Sequence, residues 1–490
     1  MQAPVHLLLC AASFPGQNPC NPADVDALLA DFADPAAPGC ALAIVENGEP
    51  AYTGARGLAS LEHEVAIGAD TVFRAGSLAR PFTATCIFLL EQDGALSLDD
   101  DVRTWIPELA DYRSPLTLRH LLHHTSGIRD YPELMRWAGI GEDERATAGQ
   151  VAGMLFRQAG LNSAPGEVFE YGESEYFLLG LVVARASRTS LRSFAHERIF
   201  APLDMTSTRL RDDAGEVVPR LAAAYRRRTG ELVFGRGPVP RPTFEHDPRA
   251  NEIVGARGVV TTVGDLARWE ANLCRPAAGQ EGLLAFLTTP AHVDGRELGG
   301  YTAVLTLDEY RGRRIQLGCY PLARHRTGAQ MVRLPDQGLT VICLANDGNG
   351  PPTGLCKRVA DVGLAEMPVS SPRQRVSWQQ ARAQGTWIAG AGDRVLHLTS
   401  GPIRLWAQLD GEAFALAPVG EWRLRKERPP GDVGLAFRED DQGRLVGELS
   451  LRGDPPIPLR RVDGFFEPTL QELQAYAGIY YSPELDAWTC

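Results

Sequence analysis

Hydrophobic and polar positions change period several times along this chain, and each change marks an element. Asn21-Pro22 leads into ADVDALLADFAD, which reads as an N-cap, a proline in the first turn and an amphipathic helix. Two β-rich runs follow in CALAIVENGEPAYTGARGLAS, joined at Asn47-Gly48, a hairpin signal. After Ser77 the apolar residues Phe82, Cys86, Phe88, Leu89 and Leu90 predict a buried helix, which Asp93-Gly94 stops. Further helical stretches surround residues 116–124, 147–158 and 175–187. Strands return near residue 300, and RLPDQGLTVICLAND (333–347) reads as strand, turn, strand. Helices set between two terminal groups of strands predict an α/β fold, an α+β sandwich whose sheet is built from both ends of the domain.

The pattern shifts after about residue 366. MPVSSPRQR reads as a linker, placed at 367–376. Beyond it, RVLHLTSGPIRLWAQLDGEAFALAP and VGLAFREDDQGRLVGELSLRG alternate short strands with turns, which predicts a smaller all-β domain over 377–466, a barrel or meander. SWQQARAQGTWI (377–388) is echoed by LQELQAYAGIYY (470–481), with Gly385 matching Gly478. Residues 467–490 are therefore expected to begin an incomplete second β-repeat. The main domain is expected over 21–366, preceded by an extension at 1–20.

Composition narrows the chemistry. The net charge of −12 argues against a general nucleic-acid binder. No apolar run reaches the length of a membrane-spanning helix. MQAPVHLLLCAASFPG has a short apolar stretch without a basic n-region, a weak candidate for a signal segment, so a cytoplasmic location is favoured over a secreted or periplasmic one. Nine cysteines, scattered and without a CxxC pair, suggest neither a disulfide framework nor a zinc site. His123-His124 are adjacent and do not share a helix face, so they read as loop and not as metal ligands. No P-loop, dinucleotide fingerprint or credible metal cluster implies a cofactor.

One stretch carries candidate chemistry. In FRAGSLAR, Ser77 opens the apolar helix, and Arg80 stands where a serine-x-x-lysine nucleophile pattern has lysine. The surroundings extend the likeness: TVFRAGSLARPFTATCIFLLEQDGALSLDDDVRTWIPEL, LTLRHLLHHTSGIRDY, APGEVFEYGESEYFLLGLVVARASRTSLRSFAHERIFAPLDMTSTR, GVVTTVGDLARW and LPDQGLTVICLAND follow in order. Residues 21 to about 366 resemble the class C β-lactamase-like group, with its penicillin-binding proteins, D-aminopeptidases, alkaline D-peptidases, DD-carboxypeptidases and esterases. The resemblance implies a β-lactamase/transpeptidase-like fold, a lipocalin-like C-terminal domain, acyl transfer through a serine ester, and a small-molecule or peptide-like ligand in the cleft.

Carried over residue by residue, the family's motifs are altered. The first gives Ser77 as nucleophile but Arg80 in place of the lysine that takes its proton. Arginine, with a pKa above about 12, cannot shed a proton as a buried lysine can. The second, tyrosine-x-asparagine in the family, gives Tyr171-Gly172-Glu173. In the family the asparagine lies against the lysine, so the resemblance predicts a bidentate Arg80–Glu173 ion pair that fills the substrate's space. The third, placed by its interval before Pro335, gives Tyr320-Pro321-Leu322, with no cation and no glycine, and leaves the Ala323 N–H to complete an oxyanion hole. Arg326-Thr327-Gly328 is the rival placement. Three readings stay open: a pseudoenzyme that binds without turnover, a repurposed acyl-transfer, cyclisation or slow-hydrolysis enzyme using Ser77, Tyr171 and Arg80, and an ordinary serine hydrolase.

Overall fold

The computed structural model describes residues 20–228 apart from 33, 142–143 and 145; 243–247; 253–318 apart from 278 and 294; 328–348; 352–364; the strands between 385 and 462; and 480–482, 484 and 487–489. The expectations for residues 1–19, for the 367–376 linker and for Tyr320, Leu322 and Ala323 lie outside the described residues.

The sheet of the main domain is assembled from both ends of the sequence. Its eight strands run in the order Pro290–Val293, Arg296–Thr302, Thr306–Tyr310, Arg313–Leu317, Gly328–Leu334, Leu339–Ala345, Cys40–Glu46 and Glu49–Arg56. The N-terminal strand Cys40–Glu46 pairs antiparallel with the late strand Leu339–Ala345, from Cys40 opposite Ala345 to Glu46 opposite Leu339. Its other neighbour is reached through the two-residue turn at Asn47-Gly48, where both residues have positive φ (51° and 79°), as a type I′ hairpin requires.

The run CALAIV is apolar without a break because the strand is buried on both faces. Cys40, Leu42 and Ile44 join Val25 and Leu29 of the Pro22–Phe32 helix and Leu355, Cys356 and Val359 of the Thr353–Gly363 helix. Ala41, Ala43 and Val45 face a larger core with Leu266 and Trp269 of the Val263–Cys274 helix and the helices that follow Ser77. At the centre of that core lies the Arg80–Gln92 helix, buried from Arg80 through Leu90. Phe82 stacks edge-on with Phe200 at 5.1 Å and tilted on Trp269 at 4.9 Å, which pins the first turn of this helix and the residues before it.

The remaining helices match the sequence expectation with shifted ends. Leu118–Leu122 and Ala148–Phe156 each begin with a threonine capping box, at Thr117 and Thr147. Ser174–Ser187 has no side-chain cap of its own on Glu173. None of the described helices is long and apolar enough to cross a membrane.

Beyond residue 384 eight antiparallel strands, from Gly385–Ala389 to Ile457–Val462, close into a barrel. Closure removes the exposed strand edges that an open meander would leave. Trp387, Leu396, Leu398, Leu435 and Leu449 fill it. Tyr480–Ser482 and Ala487–Thr489 form a two-stranded sheet of their own, and residues 480–489 group with the main domain, not with the barrel.

Candidate active site

Ser77 sits in a tight turn, Gly76–Ala79, that runs directly into the Arg80–Gln92 helix. Gly76 takes a positive φ (54°), a conformation that a side chain would resist, and so bends the chain out of the strand Phe73–Arg74 into the helix. The Ala75 N–H is held by the Val259 carbonyl at 2.9 Å. The serine is half-exposed, while Leu78, Ala79 and Arg80 after it are buried. A serine at this point meets the positive end of a 13-residue helix, where a developing oxyanion is stabilised. Gly318 closes in from the sheet: a Cβ there would lie 2.7 Å from Leu78 Cδ2, so the strand Arg313–Leu317 ends beside the nucleophile turn. Sequence reading missed Gly318, whose role is set by an approach that only the folded chain creates.

Arg80 is the centre of the site. Its side chain is buried at 2% exposure. One guanidinium nitrogen donates to the Gly172 carbonyl at 2.7 Å, and another contacts His124 Nε2 at 3.1 Å. The plane lies 3.9 Å from the Tyr171 ring centroid and 5.2 Å from that of Tyr176. His124 is itself ringed by Tyr171, Tyr176 and Tyr301, at 4.9, 5.2 and 5.7 Å. A desolvated cation on two aromatic faces gains about 2 kcal/mol from such stacking. Burial opposes the charge of Arg80, but Tyr171, Tyr301, Glu173 and Tyr176 outweigh it, and the guanidinium titrates above its ordinary range. It is a fixed positive charge.

That charge dictates the state of His124. Arginine only donates, so Nε2 accepts from it, while the Gly172 N–H approaches Nδ1 at 3.5 Å. Nδ1 faces Glu175 Oε2 at 3.4 Å. Burial and Arg80 hold His124 well below the usual histidine range, so the ring is neutral. Ser126 donates to the other oxygen of Glu175 at 3.0 Å. His124, Glu175, Tyr176 and Tyr301 carry no local motif, and sequence reading did not assign them to the site.

The predicted Arg80–Glu173 ion pair does not form. Glu173 turns away to Arg257, with which it makes an ion pair, and accepts from the Tyr131 hydroxyl at 2.6 Å. The two substitutions looked complementary because they share one motif set. The sequence did not reveal that a second cation, Arg257 of the 253–258 loop, competes for the carboxylate. Glu173 is 2% exposed, so its charge is compensated by Arg257 instead.

Asp130 completes the cluster. Its Oδ1 accepts from the Glu173 N–H at 2.6 Å and the Ser174 N–H at 3.2 Å, and so caps the Ser174–Ser187 helix from another segment. Ser174 answers by accepting from the Tyr131 N–H at 2.7 Å and donating to the Arg129 carbonyl at 2.9 Å. Gly172 is small for a reason: a Cβ there would lie 2.9 Å from Glu175 Oε2 and 3.1 Å from Asp130 Oδ1.

The buried Glu173 and Glu175 and the half-buried Asp130 cannot all ionise freely at this spacing. Burial, with the charges of Glu173 and Glu175, pushes Asp130 up to about 8. Burial pushes Glu175 up to about 7. Both groups are more easily kept protonated in the fold than in the unfolded chain, so their contribution is complete near pH 4 and is lost as pH rises through 7 to 8. His120, His123 and His124 are all lowered, first by burial, and oppose this below pH 6.5, where unfolding takes up their protons. The net decline is therefore expected between pH 6.5 and 8.5. Thermal unfolding across that window should lose on the order of 1–2 kcal/mol, and Asp130→Asn, which keeps both N–H contacts, should flatten most of the slope. An unchanged slope in Asp130→Asn would show that the titration lies elsewhere.

Among the described residues no cluster of His, Cys, Asp and Glu side chains is arranged to hold a metal. A cavity of about 530 Å³ lies between the 111–114 and 159–165 loops, lined in part by Tyr112, Arg113, Leu161 and Pro165, and includes neither Ser77 nor Tyr171. Of the third-motif candidates, only Gly328 of the rival placement is described; it opens the strand Gly328–Leu334 opposite Ala345.

A serine turn opening a buried helix, a Tyr-x-Glu segment held to that helix through Arg80 and a strand ending beside the serine turn make up the site. The chain belongs to the Beta-lactamase family, whose profile matches residues 25–363. It is 25% identical over 465 residues to the D-aminopeptidase of Brucella melitensis biotype 1, covering 92% of this chain and 80% of that one. It is 35% identical over 169 residues to Penicillin-binding protein 4* of Bacillus subtilis, a match spanning 34% of this chain and 36% of that protein. In fold it is similar to the octameric penicillin-binding protein homologue from Pyrococcus abyssi, with a TM-score of 0.59 and 18% identity over 89% of this chain and 99% of that one.

Proposed function

We propose that the Ser77 cleft binds a peptide-like or amide ligand and that its hydrolytic turnover is lost or much reduced. One observation carries this reading: the residue in the lysine position, Arg80, is a buried permanent cation committed to Gly172, His124 and the Tyr171 ring. Ser77 thus lacks the base that would take its proton. Ser77 nevertheless stays half-exposed at the head of its helix, which supports retained binding. Likeness to a D-aminopeptidase over most of the chain makes short peptides and amides of D-amino acids the ligands to try first.

A second reading rests on the Arg80–Tyr171 stack. A fixed cation 3.9 Å from the ring centroid favours negative charge on the Tyr171 oxygen, which makes Tyr171 the remaining candidate to accept the Ser77 proton in a slow acyl transfer.

The two separate in one experiment. The protein is incubated with a fluorophosphonate and assayed with p-nitrophenyl acetate, beside Ser77→Ala. The binding reading expects turnover within about tenfold of Ser77→Ala. A Ser77-dependent kcat/KM near the ordinary enzymatic range, about 10⁴ M⁻¹s⁻¹ or above, would overturn it. A Ser77-bound adduct with slow release would favour the Tyr171 reading.

A further inference from the structure

Glu484 makes contacts that nothing in the active-site chemistry requires. It lies between the strands Tyr480–Ser482 and Ala487–Thr489. Its carboxylate accepts from Arg129 at 2.5 Å and from the Ala159 N–H at 3.4 Å. Its backbone carbonyl accepts from Gln158 Nε2 at 3.0 Å and Arg157 Nε at 3.4 Å. The receiving groups are built in advance: Gln158 is buried, donates to the Met154 carbonyl at 3.0 Å, and accepts from Arg129 at 2.8 Å.

We propose that Arg129 and the Ala159 N–H form a carboxylate-binding site whose occupant is Glu484 of the 480–489 segment, with Gln158 holding the Glu484 backbone carbonyl beside it, and that this latch steadies the two loops carrying His124 and Tyr171. The loops are joined to each other by backbone hydrogen bonds, from Asn162 to Gly127 at 2.7 Å, Gly166 to Thr125 at 2.7 Å and Glu170 to His124 at 2.9 Å. Arg129 belongs to the first loop, and its carbonyl holds Ser174 at the start of the helix after Tyr171. Ala159 opens the second loop. A side chain that grips Arg129 and Ala159 together therefore fastens the open end of the loop pair, while Gly172 and His124 are fastened at the other end by Arg80.

A lone half-exposed ion pair contributes little. The Glu484 contact differs in that its carboxylate meets a cation and a backbone N–H together while its backbone carbonyl meets Gln158 and Arg157; Glu484→Ala removes the first two contacts and leaves the carbonyl's in place.

The test is hydrogen exchange on the full chain, comparing wild type with Glu484→Ala, Arg129→Met and the double variant. The expected result is exchange about three- to tenfold faster in 124–131 and 159–172 for either single variant, with the strand Leu339–Ala345 unchanged and the double variant no faster than the faster single one. Unchanged exchange in those loops, a rise spread equally over the central strand, or effects that simply add in the double variant would each overturn the latch. The measurement reads no catalysis, so it is independent of whether Ser77 turns over substrate.

Discussion

Glu173→Ala will destabilise the main domain by about 3–5 kcal/mol, as expected when one partner of a buried pair is removed. The carboxylate is the counter-charge for Arg257 and the acceptor for Tyr131. It also contributes to the favourable field at Arg80. Truncation removes the counter-charge of a partly buried guanidinium and the acceptor of a buried hydroxyl. Denaturant unfolding followed by tryptophan fluorescence checks this, through Trp269 in the adjoining core. Adding Arg257→Met should recover part of the loss, because it removes the cation that was left uncompensated. A loss below about 1 kcal/mol in Glu173→Ala would mean that the Glu173–Arg257 pair is balanced by its own desolvation.

Arg80→Lys will raise p-nitrophenyl ester hydrolysis about a hundredfold, the smaller end of what a positioned general base contributes. A lysine among Tyr171, Tyr176 and Tyr301 is buried in apolar surroundings that favour its neutral form, so it can take the Ser77 proton where arginine cannot. The substitution should be made alone. Pairing it with Glu173→Asn, as the family motif suggests, would strip Arg257 of its counter-charge and mask any gain behind a loss of fold. The gain must vanish in Arg80→Lys/Ser77→Ala. If Arg80→Lys folds and stays within about threefold of wild type, the missing base is not what limits the site, and the segment after Gly318 becomes the suspect.

Ser77, Arg80, Tyr171 and Glu173 were legible in the sequence as candidates; their partners were not. Ser77 and Arg80 are one helical turn apart, so their neighbourhood follows from local geometry. Arg80 and Glu173 were joined by analogy with a family contact, and the analogy failed because Arg257 was invisible to it. His124 read as plain loop because adjacent histidines suggest no metal site. In the fold it is the acceptor that fixes Arg80, a role that needs Arg80, Tyr171 and Glu175 to converge from three segments.

Patterns internal to the chain decided the element order, the hairpin at Asn47-Gly48, the buried helix after Ser77 and the all-β character beyond residue 384. These depend on period, caps and turn residues, all encoded within a few positions of each other. Only the tertiary structure decided which carboxylate meets which cation, that Asp130 caps a helix lacking its own cap, that Gly318 abuts Leu78, and that Glu484 reaches back to Arg129. Those outcomes depend on distances between segments far apart in sequence, and on competition between partners for the same charge, neither of which a linear pattern records.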